Sequence, residues 1–141
     1  MPGKPPPWYW VVSVVLLLWG LMGALSVYLH VAFGPTLDPS CTEYDKAYYA
    51  ALPGWFAWDF ALAVGAGLIG SAALLKRSKK ARPLFVVSLI AVVIEFGWMF
   101  GFTDIIAHKG WGTTAFPAFI AAVAVFQIWF AGLAAKRGWI A

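Results

Sequence analysis

The chain has 141 residues, of which 62% are hydrophobic and only 11% are charged, whereas about 25% are charged in a soluble globular domain. This composition excludes an ordinary water-soluble domain, because too few polar side chains are present to cover its surface. The formal net charge of +4 does not indicate nucleic-acid binding either, since the basic residues lie between and after apolar segments. Basic residues in such places set membrane topology and contact anionic lipids.

The first predicted element is a transmembrane helix over residues 8–33. The prolines that precede it cannot continue a helix backwards, because proline has no amide donor. Lys4 followed by an apolar run also resembles a signal peptide, but this run exceeds the core of about 7–15 residues that signal peptides have. We therefore expect a retained first helix.

The loop after this helix contains Ser40-Cys41-Thr42-Glu43, the capping-box pattern in which Ser and Glu satisfy the first free amides of a helix. Tyr44 and Tyr48 follow at i, i+4 spacing, before Pro53-Gly54 ends the element. The prediction is a short amphipathic helix on the membrane surface, with a lid over a pocket as the alternative. Cys41 is the one cysteine, so no internal disulfide and no cysteine-based metal site is expected.

Three further transmembrane helices are predicted, at 55–75, 83–102 and 115–135. Each has about the 20 residues that a helix needs to cross a bilayer. The four spans predict an all-α membrane protein, a four-transmembrane-helix bundle that forms a single domain over residues 1–141. Aromatic residues near the span ends predict a belt at the level of the lipid headgroups. The belt residues are Trp8, Tyr9, Trp10, Trp55, Trp58, Trp111 and Trp139.

The basic residues predict the orientation of the bundle. Eight lie on one side of the spans (Lys4, five in the loop between spans two and three, Lys136 and Arg137), and two lie on the other (Lys46 and Lys109). The positive-inside rule places the side with eight, and with it both termini, in the cytoplasm. The five loop residues are expected to contact lipid headgroups or a soluble partner: Lys76, Arg77, Lys79, Lys80 and Arg82.

Polar side chains inside the spans are the candidate functional residues, because an ionisable group in hydrocarbon is costly and usually faces protein or water. Asp59 lies in span two and Glu95 in span three, and helical spacing places both on faces with small residues. His30 near the end of span one and Gln127 in span four have similar positions. We expect these four side chains to line an outward-facing polar cavity, with Trp98 in its wall.

Three interpretations of this cluster remain open. In the first, its members form hydrogen bonds that hold the helices together, at about 1 kcal/mol each. In the second, the carboxylates bind a proton or a cation. In the third, the cluster lines a cleft for a lipid, quinone or pigment, with a carboxylate or His30 as the polar anchor. No nucleophile elbow, phosphate loop or metal motif is present in the sequence. We therefore predict no catalysis, no catalytic residues, no metal and no obligatory cofactor.

Small residues at i, i+4 spacing predict close packing of helices. The three pairs are Ala61 with Gly65, Ala66 with Gly70, and Gly97 with Gly101. Such pairs serve equally within one chain and between chains.

Short aromatic motifs resemble a known group of proteins. Pro7-Trp8-Tyr9-Trp10, Leu18-Trp19-Gly20-Leu21-Met22-Gly23 and the closing Arg137-Gly138-Trp139-Ile140 resemble small four-helix inner-membrane proteins of sphingomonad-type alphaproteobacteria, some of them labelled sugar transporters. The resemblance covers nearly the whole chain, and it implies a bacterial inner membrane and four helices but no catalytic residue. Gly20 stands where that group has Asn. The tryptophan-rich sensory proteins are another group of small aromatic helical proteins, but they have five spans where this chain has four.

The sequence favours a non-catalytic accessory or assembly subunit of a larger membrane complex. The alternative is a small oligomeric transporter, or a binding protein for a lipid, quinone or pigment, that uses the polar cluster. The expected partners are the bilayer and either other membrane subunits or further copies of this chain, with no nucleic acid.

Overall fold

The computed structural model describes residues 4–37 and 42–140, and this part of the chain forms six α-helices. They are α1 (Pro7–Phe33), α2 (Glu43–Ala50), α3 (Gly54–Leu75), α4 (Ala81–Phe102), α5 (Ile105–Lys109) and α6 (Ala115–Lys136). Short 3-10 turns at Gly34–Leu37 and Trp111–Thr114 lie between them. Within the described residues, α1, α3, α4 and α6 are the helices long and apolar enough to cross a membrane. The predicted four-span helical bundle is confirmed, and the protein is an integral membrane protein.

The ends of the spanning helices agree with the predicted ends to within two residues. The largest difference is at α4, which begins at Ala81 instead of Pro83. Proline is tolerated in the first turn of a helix, because its missing amide would have no partner there. Pro83 is therefore the third residue of α4 and not its first.

The cap of α2 differs from the predicted one. Thr42 precedes the helix, its hydroxyl accepts a hydrogen bond from the Asp45 amide, and the Asp45 carboxylate accepts one from the Thr42 amide at 3.0 Å. Asp45 thus supplies the acceptor three residues after Thr42, whereas the sequence predicted a pairing of Ser40 with Glu43. Ser40 and Cys41 lie outside the described residues.

The four spanning helices pack in the order α1, α3, α4, α6, with α3 between α1 and α4. Glycines allow the closest approaches. A Cβ on Gly20 would lie 3.0 Å from the Cα of Leu68, and one on Gly70 would lie 2.8 Å from the Phe85 ring. The asparagine that the resemblance places at position 20 would not fit without separating α1 from α3.

One end of the bundle is closed by side chains from every spanning helix. This closed end comprises the start of α1, the loop between α3 and α4, and the residues after α6. The Tyr9 hydroxyl donates to the Leu74 carbonyl at 2.5 Å, the Tyr9 ring stacks on Phe130 at 5.6 Å, and Arg77 Nε donates to the Trp139 carbonyl at 2.7 Å. The residues after α6 therefore pack against the closed end of the bundle.

Two of the residues predicted for the aromatic belt are buried at this end. Tyr9 is fully buried and Trp139 is 7% exposed, because both pack inside the closed end instead of facing headgroups. The other five belt tryptophans are exposed, as are four of the five basic loop residues, whereas Arg77 is half-buried. The exposed basic residues are Lys76, Lys79, Lys80 and Arg82.

The predicted small-residue pairs differ in whether they are buried against another helix. Ala66 and Gly70 are buried in the packing of α3. Gly97 and Gly101 are exposed on α4, and a Cβ on either, as on Gly65, would meet no atom within 4 Å. Gly97 and Gly101 of α4 therefore do not allow a close approach of another described helix.

Substitution of Gly70 by Ala tests the contact between α3 and α4. The added methyl would overlap the ring of Phe85, which is fully buried and cannot move aside. We expect a loss of about 1–3 kcal/mol in the free energy of unfolding, measured by denaturant titration in detergent micelles. Gly65→Ala in the same helix is the matched control. It meets open space and should be neutral or stabilising by up to about 1 kcal/mol, so equal losses in both variants would contradict the packing argument.

Candidate functional site

A cavity of about 580 Å³ lies between the spanning helices and reaches toward the other end of the bundle. We call this the open end, and it comprises the end of α1, α2, the start of α3, the end of α4 and α5. Its walls come from α1, α3, α4 and α6, and α2 contributes Asp45, Tyr48 and Tyr49 at the mouth. Most of the lining is apolar or aromatic. The volume is in the range of about 300–1,000 Å³ that small-molecule sites have.

Two polar side chains face this cavity from adjacent helices. Glu95 on α4 is 5% exposed and Gln127 on α6 is 3% exposed, and both line the cavity. Within the described part of the chain, no hydrogen bond satisfies either side chain. At 1.5 Å per residue, Glu95 lies about 21 Å from the start of α4, and Gln127 about 14 Å from the end of α6. Both therefore lie deep in the apolar part of the bundle.

The face predicted for Glu95 is correct. Ser88 and Ala91 are buried with it on one side of α4, and the Ser88 hydroxyl donates to the Ala63 carbonyl of α3 at 2.7 Å. This hydrogen bond fixes α4 against α3. Glu95 is held at the wall by its helix, not by a bond of its own.

His30 also lines the cavity, near the open end of α1. Its ring lies 5.0 Å from the Tyr49 ring, 5.9 Å from Phe56 and 5.5 Å from Phe60. Tyr49 in addition donates its hydroxyl to the His30 carbonyl at 2.8 Å. The end of α1 is thereby joined to α2 and α3.

Two predicted site residues do not line the cavity. Trp98 packs against Trp55 and Phe56, with ring distances of 6.0 and 5.9 Å, so it supports the wall from behind. Asp59 interacts electrostatically with Glu95 but is absent from the lining. One of its carboxylate oxygens is buried without a partner among the described residues. The structure thus brings His30, Glu95 and Gln127 to one cavity, and it places Asp59 and Trp98 outside the lining of that cavity.

Helix α2 lies across the open end and is attached on both sides. Beside the Tyr49 bond to α1, the Tyr44 ring stacks on His108 at 3.7 Å and its hydroxyl donates to Asp104 at 2.7 Å. Burial, followed by this bond to a carboxylate, raises the pKa of Tyr44 to about 12, so the phenol keeps its proton at neutral pH. The arrangement favours the lid alternative for α2.

An ion pair lies at the mouth of the cavity. Lys109 Nζ is 2.5 Å from the Asp45 carboxylate, and both residues line the mouth. The hydrogen bond from Lys109, followed by that from the Thr42 amide, lowers the pKa of Asp45. This pair joins α2 to α5, and sequence reasoning missed it because the partners are in separate loops. Their opposite charges in the two outer loops were the available signal.

The arrangement can hold an apolar molecule and hydrogen-bond one polar group of it. Aromatic side chains line the cavity from all four spanning helices: Trp19, Phe56, Phe60, Phe96 and Phe116. Glu95 and Gln127 supply the hydrogen-bonding groups. In the described residues, no group of three or more His, Cys, Asp or Glu side chains is placed to hold a metal ion.

Replacement of Lys109 by Gln tests the ion pair at the mouth. We expect the pKa of Asp45 to rise toward its ordinary value of about 3.9, as measured by an NMR titration of the carboxyl group in micelles. Since the folded pKa is the lower one, the pair stabilises the docked α2 above the ordinary pKa and loses this effect as the pH falls through the folded pKa. Lys46→Gln is the control, because Lys46 contacts Glu43 instead. An unchanged Asp45 titration in Lys109→Gln would contradict the pairing.

Comparisons with known proteins give no match. No family model matches the chain, and no curated protein or solved structure matches it. The resemblance to sphingomonad-type membrane proteins therefore stays a prediction, and the case for a function depends on the geometry of this chain alone.

Proposed function

We propose that this protein binds an amphipathic small molecule inside the membrane, with the polar group of the ligand at Glu95 and Gln127. One observation carries the proposal: two polar side chains, 5% and 3% exposed, face a cavity of about 580 Å³ without hydrogen-bond partners among the described residues. A hydrogen bond from a ligand to such a group contributes about 0.5–1.5 kcal/mol, and about 1.5–3 kcal/mol where the group is charged.

The lining supports a ligand that comes from the lipid. Met22 on α1 and Phe116 on α6 line the cavity and are 65% and 64% exposed, so the space reaches the lipid-facing surface between these helices. We call the opening between α1 and α6 the seam, and the ring centres of Trp19 and Phe119 lie 5.5 Å apart across it. An apolar groove of about 350 Å³ is lined by the same two residues.

The proposal places the closed end in the cytoplasm, as the basic residues predict, and the cavity mouth on the opposite side of a bacterial inner membrane. The role is non-catalytic binding, and no step of it requires a cofactor. Transport would be a further property of the same site. Four helices that close at one end would then need a second copy or a large rearrangement to release the ligand on the cytoplasmic side.

A second candidate is the accessory-subunit role, favoured by the exposed Gly97 and Gly101 on α4. A helix of another chain could pack closely on that face. The accessory role is tested by the mass of the particle that polymer nanodiscs extract. A partner adds to the mass of the chain, and Gly97→Leu should remove that added mass by displacing the partner. A single chain in those nanodiscs, with or without the substitution, would reject this role and leave the binding proposal intact.

Filling the cavity tests the binding proposal. Ala124 lies at the cavity wall with 3% exposure, so Ala124→Leu would place three more carbon atoms in the ligand space. The probe is a long-chain alcohol with a diazirine beside its hydroxyl, and the labelled peptides are mapped by mass spectrometry. We expect labelling around Glu95 and Gln127 in the native protein and its loss by about tenfold in Ala124→Leu.

Ala118→Leu is the matched control, since Ala118 lies in the same helix but is exposed. It should keep the labelling pattern, and thermal unfolding of both variants checks that the fold is retained. Labelling that follows lipid exposure along all four helices, equally in both variants, would reject the proposal.

A further inference from the structure

The charges around the cavity are unbalanced. Within the four spanning helices, Lys and Arg occur only at Arg82 and Lys136, both at the closed end. At the mouth, Lys109 is paired with Asp45 at 2.5 Å. Glu95 therefore has no basic partner in the described bundle, and its charged neighbour is a second carboxylate, Asp59. His30 lies toward the open end among aromatic rings, and α6 contributes the uncharged Gln127.

A carboxyl group that is only 5% exposed in a largely apolar cavity, as Glu95 is, needs a compensating positive charge when it is ionised. An isolated carboxylate away from water is costly, and a nearby like charge adds to the cost. A proton or a bound cation removes that cost. The cavity beside Glu95 offers space for a cation larger than a proton.

The lining favours an organic cation over a calcium ion. Calcium needs about six to eight oxygen ligands, and the described residues place no group of three or more candidate ligands together. Aromatic side chains instead line the same cavity as Glu95, among them Trp19, Phe60 and Phe96. Ring faces attract organic cations, by about 2 kcal/mol or more where water is excluded.

We propose that the ligand of this cavity is a lipophilic organic cation, whose positive charge lies at Glu95 and whose apolar groups contact the aromatic wall. This inference rests on the proposed function and adds the sign of the charge. Gln127 then accepts or donates a hydrogen bond beside the ion pair. The apolar wall and the opening between α1 and α6 accommodate the remainder of the molecule.

Two ions of the same shape and opposite charge test the proposal. Tetraphenylphosphonium and tetraphenylborate, with uncharged tetraphenylsilane as the third probe, are measured by equilibrium binding to the protein in phosphatidylcholine nanodiscs. Binding is counted in excess of protein-free nanodiscs, because all three dissolve in lipid. We expect the native protein to prefer the cation over the anion by about tenfold or more.

Glu95→Gln removes the charge with little change of shape and should lower cation affinity by about tenfold or more, while binding of the uncharged probe stays the same. The matched control is Glu43→Gln, which makes the same change at the other glutamate, in the exposed helix α2. It should leave all three affinities unchanged. Glu95→Asp should retain the preference for the cation.

The outcomes separate the two proposals. If the uncharged probe binds as well as the cation, or Glu95→Gln leaves cation binding unchanged, the inference is wrong, and loss of binding in Ala124→Leu would still support a neutral ligand. If no probe binds above the lipid background and the diazirine alcohol does not label the cavity, both proposals are wrong. The preference of the native protein for the cation or the anion decides the inference even if Glu95→Gln does not fold.

Discussion

The packing of the Phe85 ring against Gly70 holds α3 and α4 together near the closed end. A Cβ at Gly70 would lie 2.8 Å from this ring, which is fully buried, so the two backbones approach as closely as the ring permits. Around it, Leu74 accepts the hydrogen bond of Tyr9, and Phe130 stacks on the Tyr9 ring. One aromatic cluster thus fixes all four spanning helices at one end. The cavity at the other end can remain open because the closed end already orders the bundle.

The cost of polar groups in a membrane explains why the cavity is the best candidate for function. Backbone groups in the four spans are satisfied by their own helices, and Ser71 and Ser88 donate to carbonyls of α3. Glu95 and Gln127 are different, because nothing in the described chain satisfies them. Interhelical hydrogen bonding, which was one interpretation of the sequence, accounts for Ser88 but not for these two residues. Their side chains face the cavity, where a ligand can form hydrogen bonds with them.

The sequence predicts what local patterns determine and misses what the order of the helices determines. The four spans follow from length and apolarity, and the inward face of Glu95 follows from its spacing to Ser88 and Ala91. The spacing of residues within a helix does not show which neighbouring helix a face contacts. The sequence therefore predicts Trp98 in the cavity wall, whereas in the structure it packs behind that wall, against Phe56. The burial of Trp139 and the contact between Asp45 and Lys109 likewise depend on segments far apart in the chain.

The two routes into the cavity differ in what must break to open them. Across the open end, α2 is held by the Asp45–Lys109 pair, by Tyr44 on Asp104 and His108, and by the Tyr49 bond to α1. Between α1 and α6, the contacts are aromatic, such as Trp19 on Phe119, and side chains rearrange faster than docked helices. A ligand dissolved in the bilayer would meet this seam at high local concentration. For the proposed ligand, the easier route is therefore from the lipid, and this route would favour molecules that partition into membranes before they meet Glu95.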